Sequence, residues 1–252
     1  GRYSQVVDAC SRAQVLLERV LPSWGEFFRT TLHMEGAYCA VYLDPRPETA
    51  GRLLESLEPV DLPGTMRFIA RSVRGELELT RGNVRTAALI QRVSLRYAGN
   101  WRSILGSGSQ WELYILSMCL VTDVELSPDD AVELDARAVR ARATSLLREI
   151  LSDPAPLQRD IPTLMAFAAA VGLSAVAAED AGSDRRAVGG ELVATALAVG
   201  TNQTCRLLSH DYLRSRTERL DARALAQAEE RIRSLDRGGL VAHAADLAGR
   251  LA

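Results

Sequence analysis

Leu164-Met165-Ala166-Phe167-Ala168-Ala169-Ala170-Val171-Gly172-Leu173-Ser174-Ala175-Val176-Ala177-Ala178 is the longest apolar run of this 252-residue chain. It is shorter than the roughly 18 residues that a membrane-spanning helix needs. Gly172 and Ser174 also interrupt it. A helix that is apolar on every side belongs in a core, where other helices surround it.

The neighbouring segments carry the stripes such a core demands. Ser127-Pro128-Asp129-Asp130 has the make-up of a helix start. Serine caps, proline suits the first turn, and the acids oppose the helix dipole. Val132, Ala136, Val139, Ala143, Leu146 and Ile150 then form one apolar stripe, with Arg137, Arg140, Arg142 and Arg148 off it. Asp153-Pro154-Ala155-Pro156 ends that helix. Trp111 to Thr122 is nearly all apolar and predicts a helix buried on most sides.

Nearer the N-terminus, Val6, Val7, Cys10, Ala13, Leu17, Val20 and Leu21 keep a three-four rhythm that stops at Pro22. Ser23 and Glu26 form a capping box for a helix from Trp24 to Leu43. Asp44-Pro45-Arg46-Pro47 breaks it, and a short helix follows to about Leu57. Pro59, Pro63 and Gly64 mark a turn. Met66, Ile69, Val73 and Leu77 predict a helix that ends near Arg81-Gly82-Asn83. Glu76 to Thr80 and Arg92 to Tyr97 also alternate, which leaves a small β-hairpin as the alternative. Gly99-Asn100 and Gly106-Ser107-Gly108-Ser109 read as loops.

After the core run, Ala181 to Gly190 reads as a polar, glycine-bearing loop. Glu191 to about Arg219 reads as one long helix, followed by helices over Ala222 to Leu235 and Leu240 to Leu251. No internal repeat of fixed period is visible, and no shift in composition marks a linker. The expectation is a single all-α domain over residues 1–252, a bundle of about nine to eleven helices.

Composition narrows the chemistry. Hydrophobic residues make up 47% and charged residues 25%, with a net charge of -2. This is ordinary globular make-up, with no basic field for nucleic acid or a membrane surface. Every basic residue is arginine; there is no lysine. A lysine Schiff base, pyridoxal phosphate attachment and a P-loop lysine are therefore excluded. An anion has to be met by arginine forks, hydroxyls, backbone amides or a metal. Cys10, Cys39, Cys119 and Cys205 sit in apolar surroundings without a Cys-x-x-Cys pair, so buried free thiols and a reduced, cytoplasmic setting are expected. No signal peptide is evident at the start.

Chemistry concentrates where an apolar run turns into acids, hydroxyls and arginines, from Thr204 to Glu218. On a helix, Asp211, Ser215 and Glu218 share one face. Two carboxylates with a hydroxyl between them suit a magnesium ion, while Arg206, Arg214 and Arg216 suit an anion. An exposed helix end with ordinary Asp, Ser and Glu is the plain alternative.

This segment resembles the second metal motif of class I terpene synthases. In that family a Cys-Arg-Leu-Leu lead-in often precedes Asn-Asp-x-x-Ser/Thr-x-x-x-Glu, whose side chains hold a magnesium ion bound to substrate diphosphate. Cys205-Arg206-Leu207-Leu208 matches the lead-in. Counting from Asp211 places Ser215 correctly but puts Arg219 where Glu belongs. Counting from His210 places Glu218 correctly but puts Arg214 where the hydroxyl belongs. The family's facing aspartate motif finds its nearest counterpart in Asp123, with Glu125, 88 residues before Asp211. The family's late Arg-Tyr pair has no counterpart, since no tyrosine follows Glu218.

The resemblance implies an isoprenoid-synthase-like domain with a prenyl diphosphate substrate and Mg2+ as cofactor. Asp211, Ser215, Glu218 and Asp123 would hold metal, and Arg206, Arg214 and Arg216 would hold diphosphate. A cyclase or prenyl transferase acting on an allylic diphosphate is the expected activity. Trp24, Trp101 and Trp111 with Tyr38, Tyr42, Tyr97 and Tyr114 suit core anchors and, under that reading, rings facing a carbocation. The alternative is a non-catalytic helical domain, vestigial or unrelated, that binds a small ligand or a helical partner chain, including a second copy. Gly106 to Ser109 lacks the context of a phosphate loop, and no serine–histidine–acid order stands out.

Overall fold

The computed structural model describes residues 5, 8–9, 12–13, 15–16, 25–42, 46–58, 64–100, 109–152, 160–178, 182–201 and 205–251. Most of the N-terminal rhythm, the cap at Ser23, the proline breaks near positions 45, 59 and 154, Trp101, and the loop over 106–108 lie outside the described residues. The described residues are all-α: eleven α-helices and one short 3-10 turn, with no strand among them. They gather into two compact units, residues 1–94 and 95–252.

The first unit holds α1 (Gly25–Tyr42), α2 (Pro47–Glu55), α3 (Gly64–Thr80) and most of α4 (Val84–Asn100). Helices α1, α2 and α3 pack against one another. Ala37, Ala50, Phe68, Val73, Leu77, Ala87 and Ala88 are almost wholly buried. Burying a side chain such as Phe68 contributes about 1.5–3 kcal/mol. The alternation at Glu76 to Thr80 is helical because its acid serves the turn that follows. Buried Glu78 accepts from Asn83 Nδ2 at 2.7 Å and from Arg81 Nη1 at 3.1 Å. Gly82 takes φ +82°, the left-handed conformation that glycine adopts without a Cβ penalty, and this turns α3 into α4. Gly99 and Asn100, expected in a loop, lie within α4.

Within this unit His33 of α1 meets Ser56, the residue that caps the end of α2. The Ser56 hydroxyl donates its one proton to Leu53 O at 2.6 Å. The imidazole Nδ1 therefore donates to Ser56 Oγ. The backbone N–H groups of Ser56, Leu57 and Glu58 all donate to carbonyls of α2. The pair is a staple between two helices.

The second unit is built around the apolar run from Leu164 to Ala178. It contains α5 (Gln110–Asp123), α6 (Pro128–Glu133), α7 (Ala136–Leu151), α8 (Ile161–Ala177), α9 (Ser183–Val199), α10 (His210–Ile232) and α11 (Arg237–Leu251), with the 3-10 turn Arg206–Leu208 before α10. Helix α8 is buried along nearly its whole length. It packs against α5, α7, α9, α10 and α11, the surround that an all-apolar helix requires. Cys119 and Cys205, like Cys39 of the first unit, are buried free thiols, as their surroundings predict; Cys10 lies outside the described residues.

Three corrections to the expected elements bear on function. The stretch read as a loop up to Gly190 is helical from Ser183, because Gly189 is a packing residue. A Cβ on Gly172 would stand 2.6 Å from Gly189 O, and one on Gly189 would stand 2.7 Å from Gly172 O. Helices α8 and α9 thus cross with their backbones in contact. The helix expected over 128–150 breaks at Leu134-Asp135, where Asp135 takes φ +53° and accepts from Ala138 N–H to cap α7. The helix expected over 191–219 breaks between Val199 and His210, since Gly200 takes φ +113°.

Helix α10 is itself two arms. Asp221 has non-helical φ/ψ, and its Oδ1 accepts from Ala224 N–H at 2.9 Å to start the second arm. No helix of the described residues is long and apolar enough to cross a membrane.

Candidate functional site

The lead-in and the motif fall on different elements. Cys205, Leu207 and Leu208 are buried in the 3-10 turn, and Cys205 Sγ lies 3.9 Å from Met118 Sδ of α5. These apolar contacts anchor the turn, while Arg206 points outward and is exposed. Ser209 then caps α10: its hydroxyl accepts from Tyr212 N–H and donates to Arg206 O at 2.7 Å.

Asp211 therefore sits in the first turn of α10, where a carboxylate favours the helix dipole. Its side chain is fully exposed, and His210 Nδ1 lies 3.4 Å from its Oδ1. Ser215 does not turn toward either acid; its hydroxyl donates to Tyr212 O at 2.9 Å. Glu218 is half-exposed and held by Arg214 Nε at 3.0 Å. The far edge of the Arg214 guanidinium grips Glu229 of the second arm, Nη1 to Oε1 and Nη2 to Oε2, the latter at 3.2 Å. This doubly hydrogen-bonded partner raises the Arg214 pKa, so the guanidinium stays charged throughout the working range.

Arg216 reaches the turn after α5, where its Nε stands 3.0 Å from Glu125 Oε1. The same guanidinium lies 5.3 Å from the centre of the Tyr212 ring, a cation–π distance. Burial raises the Tyr212 pKa, the hydrogen bond and charge of Arg216 hold it down, Glu125 pushes it up, and Arg206 pulls it down.

Of the sequence-predicted residues, the structure brings Arg214 to Glu218, and Arg216 to the Glu125 beside Asp123. It does not gather Asp211, Ser215, Glu218 and Asp123. Among the described residues no group of three or more His, Cys, Asp or Glu side chains is placed to hold a metal ion. A hard dication needs several oxygens converging on one point. Here one acid faces water, Glu218 and Glu125 face arginine, and the hydroxyl faces its own helix. The donor set does not fit Mg2+.

Asp123 lines a different feature, a cleft of about 520 Å³ where the ends of α5 and α8 meet α6 and the start of α7. Its walls include Leu120, Val124, Leu126, Val132 and Ala177, with Arg137, Arg140 and Asp135 among them. Sequence reasoning missed this cleft because it placed Val132 in the buried stripe of one continuous helix. The left-handed residue at Asp135 rotates α6 out of phase with α7, and Val132 is 82% exposed.

Also missed is a buried carboxylate shared by an arginine and a histidine. Glu191 of α9 is 8% exposed, and each of its oxygens has its own partner. Arg231 Nη2 lies 2.7 Å from Oε2, and His243 Nε2 lies 2.8 Å from Oε1. It fastens the second arm of α10 and helix α11 to the core. Acid placed just after two helix-breaking glycines was the available signal. Comparison with protein-family models, curated proteins and solved structures finds no match to this chain.

Proposed function

We propose that this chain is a helical binding domain, built on an isoprenoid-synthase-like plan whose metal-binding residues have been given over to internal ion pairs. The observation that carries the reading is the arginine pairing of the motif: Glu218 and Glu229 with Arg214, and Glu125 with Arg216. Carboxylates so engaged offer a dication little, and arginines so engaged offer a diphosphate little. Support for the plan itself comes from the all-α class and the Cys205 to Leu208 lead-in. A small ligand is the favoured occupant, because the second unit keeps a cleft within the size range of small-molecule sites.

One observation favours the synthase reading instead. The Arg216–Glu125 pair sets the end of α5, which carries Asp123, beside the motif helix. Incubation with magnesium and prenyl diphosphates of several lengths, assayed for released diphosphate, separates the two. The binding-domain reading expects release no faster than in the absence of protein. Turnover that Asp211→Ala or Glu218→Ala abolishes would establish the synthase reading.

A further inference from the structure

We infer that the cleft between α5, α6, α7 and α8 is a site for a small monocarboxylate with a compact apolar body. This rests on the binding-domain reading and names the chemistry of its ligand. The walls are mostly aliphatic, from Leu120, Val124, Leu126 and Val132. Helix α6, which forms one wall, has no buried residue. Its Val132 is the most exposed large hydrophobic side chain among the described residues. An apolar body lying in the cleft covers that side chain and gains burial that α6 alone does not provide.

The charged groups of the cleft decide the sign of the head group. Asp135 is committed to the Ala138 N–H as the cap of α7. Arg140 donates to Ser174 O at 3.4 Å, and Asp123 interacts within the protein, although its buried Oδ1 accepts no hydrogen bond among the described residues. Arg137 lies one turn before Arg140 on α7, is exposed, and makes no ion pair or hydrogen bond with the described residues. A guanidinium presents parallel donors that match a carboxylate. One uncommitted fork at the rim of an aliphatic cleft suits one carboxylate on an aliphatic body, and calls for no metal.

Calorimetric titration of the full chain with octanoate, and with octanol as the uncharged tail, tests this. Octanoate is expected to saturate with magnesium absent and to bind about tenfold more tightly than octanol, the scale of one charge-assisted hydrogen bond. Arg137→Gln is expected to weaken octanoate about tenfold and to leave octanol unchanged. Val132→Asp is expected to weaken both. Both side chains are exposed, so circular dichroism should match the parent, and Val132→Ser serves if the aspartate disturbs α6. Non-saturating octanoate, or octanoate affinity unchanged in both variants, overturns the assignment of the cleft and leaves the binding-domain reading standing. Magnesium-dependent binding of inorganic diphosphate would overturn that reading whatever octanoate does.

Discussion

Arg214 and Glu229 are 15 residues apart in sequence and joined side by side through both nitrogens and both oxygens. On one straight helix that separation is about 22 Å, far beyond the reach of two side chains. The contact exists because Asp221 breaks α10 and the second arm folds back on the first. Arg214 thereby becomes the hinge pin of a helical hairpin and is spent on Glu218 and Glu229.

Replacing Arg214 by Met should loosen this hairpin. Both partners are about a third exposed, so solvent screens the pair and the loss should be about 1 kcal/mol. A double-mutant cycle with Glu229→Gln in urea should give a favourable coupling energy that shrinks as salt rises. A coupling of zero at low salt would show that the pair does not hold the arms together.

Tyr212 should titrate above the ordinary phenol value of 10.0, because burial disfavours the phenolate. The sign for stability follows from linkage. The unfolded phenol ionises first, so the stabilisation is fully present below about pH 10 and is lost as pH rises through the folded value. Arg216→Gln removes the hydrogen bond and charge that hold the value down, so absorbance at alkaline pH should show the phenol titrating higher still. A downward shift in that variant would contradict the placement of Arg216 over the ring.

Gly172 and Gly189 should tolerate no added methyl. Each Cβ would fall within 2.7 Å of a carbonyl oxygen of the facing helix, and backbone cannot swing aside as a side chain can. Gly172→Ala and Gly189→Ala should each cost about 1–3 kcal/mol in denaturant unfolding, by forcing α8 and α9 apart. Gly249, which has open space around it, serves as the control, and Gly249→Ala should be neutral or slightly stabilising.

In the first unit Gln91 is 1% exposed, and neither its amide nitrogen nor its oxygen has a hydrogen-bond partner among the described residues. A buried amide left unsatisfied at both ends is costly. Gln91→Met keeps the shape and removes the polar atoms, so it should raise the unfolding midpoint, by about 1 kcal/mol or more. A destabilised Met variant would mean that the amide does find partners in solution.

The fold class was legible because burial imposes a period. Leu164 to Ala178 is apolar throughout and became the enclosed helix α8; the Ser127-Pro128 start became a capped α6, with Ser127 accepting from Asp130 N–H at 3.2 Å. What stayed illegible was set by backbone turns that a period cannot register. Asp135, Gly200 and Asp221 each redirect a segment whose side chains keep a helical rhythm, and each redirection changed the surroundings of a candidate site residue. The break after Gly200 placed Asp211 in a first turn facing solvent. The break at Asp221 delivered Glu229 to Arg214. The left-handed Asp135 opened a cleft where a sealed stripe was expected. Gly189 deceived in the opposite sense, since its lack of a side chain reads as loop locally and serves close helix packing in the folded chain.

Under the proposed binding-domain reading, the arginine-paired side chains of α10 do not gather magnesium. Titrating inorganic diphosphate into the protein, with and without Mg2+, measures this directly by calorimetry. The expected result is the same weak or absent heat in both titrations, unchanged in Asp211→Ala and Glu218→Ala. Saturable binding that requires Mg2+ and disappears in either variant would overturn the binding-domain reading.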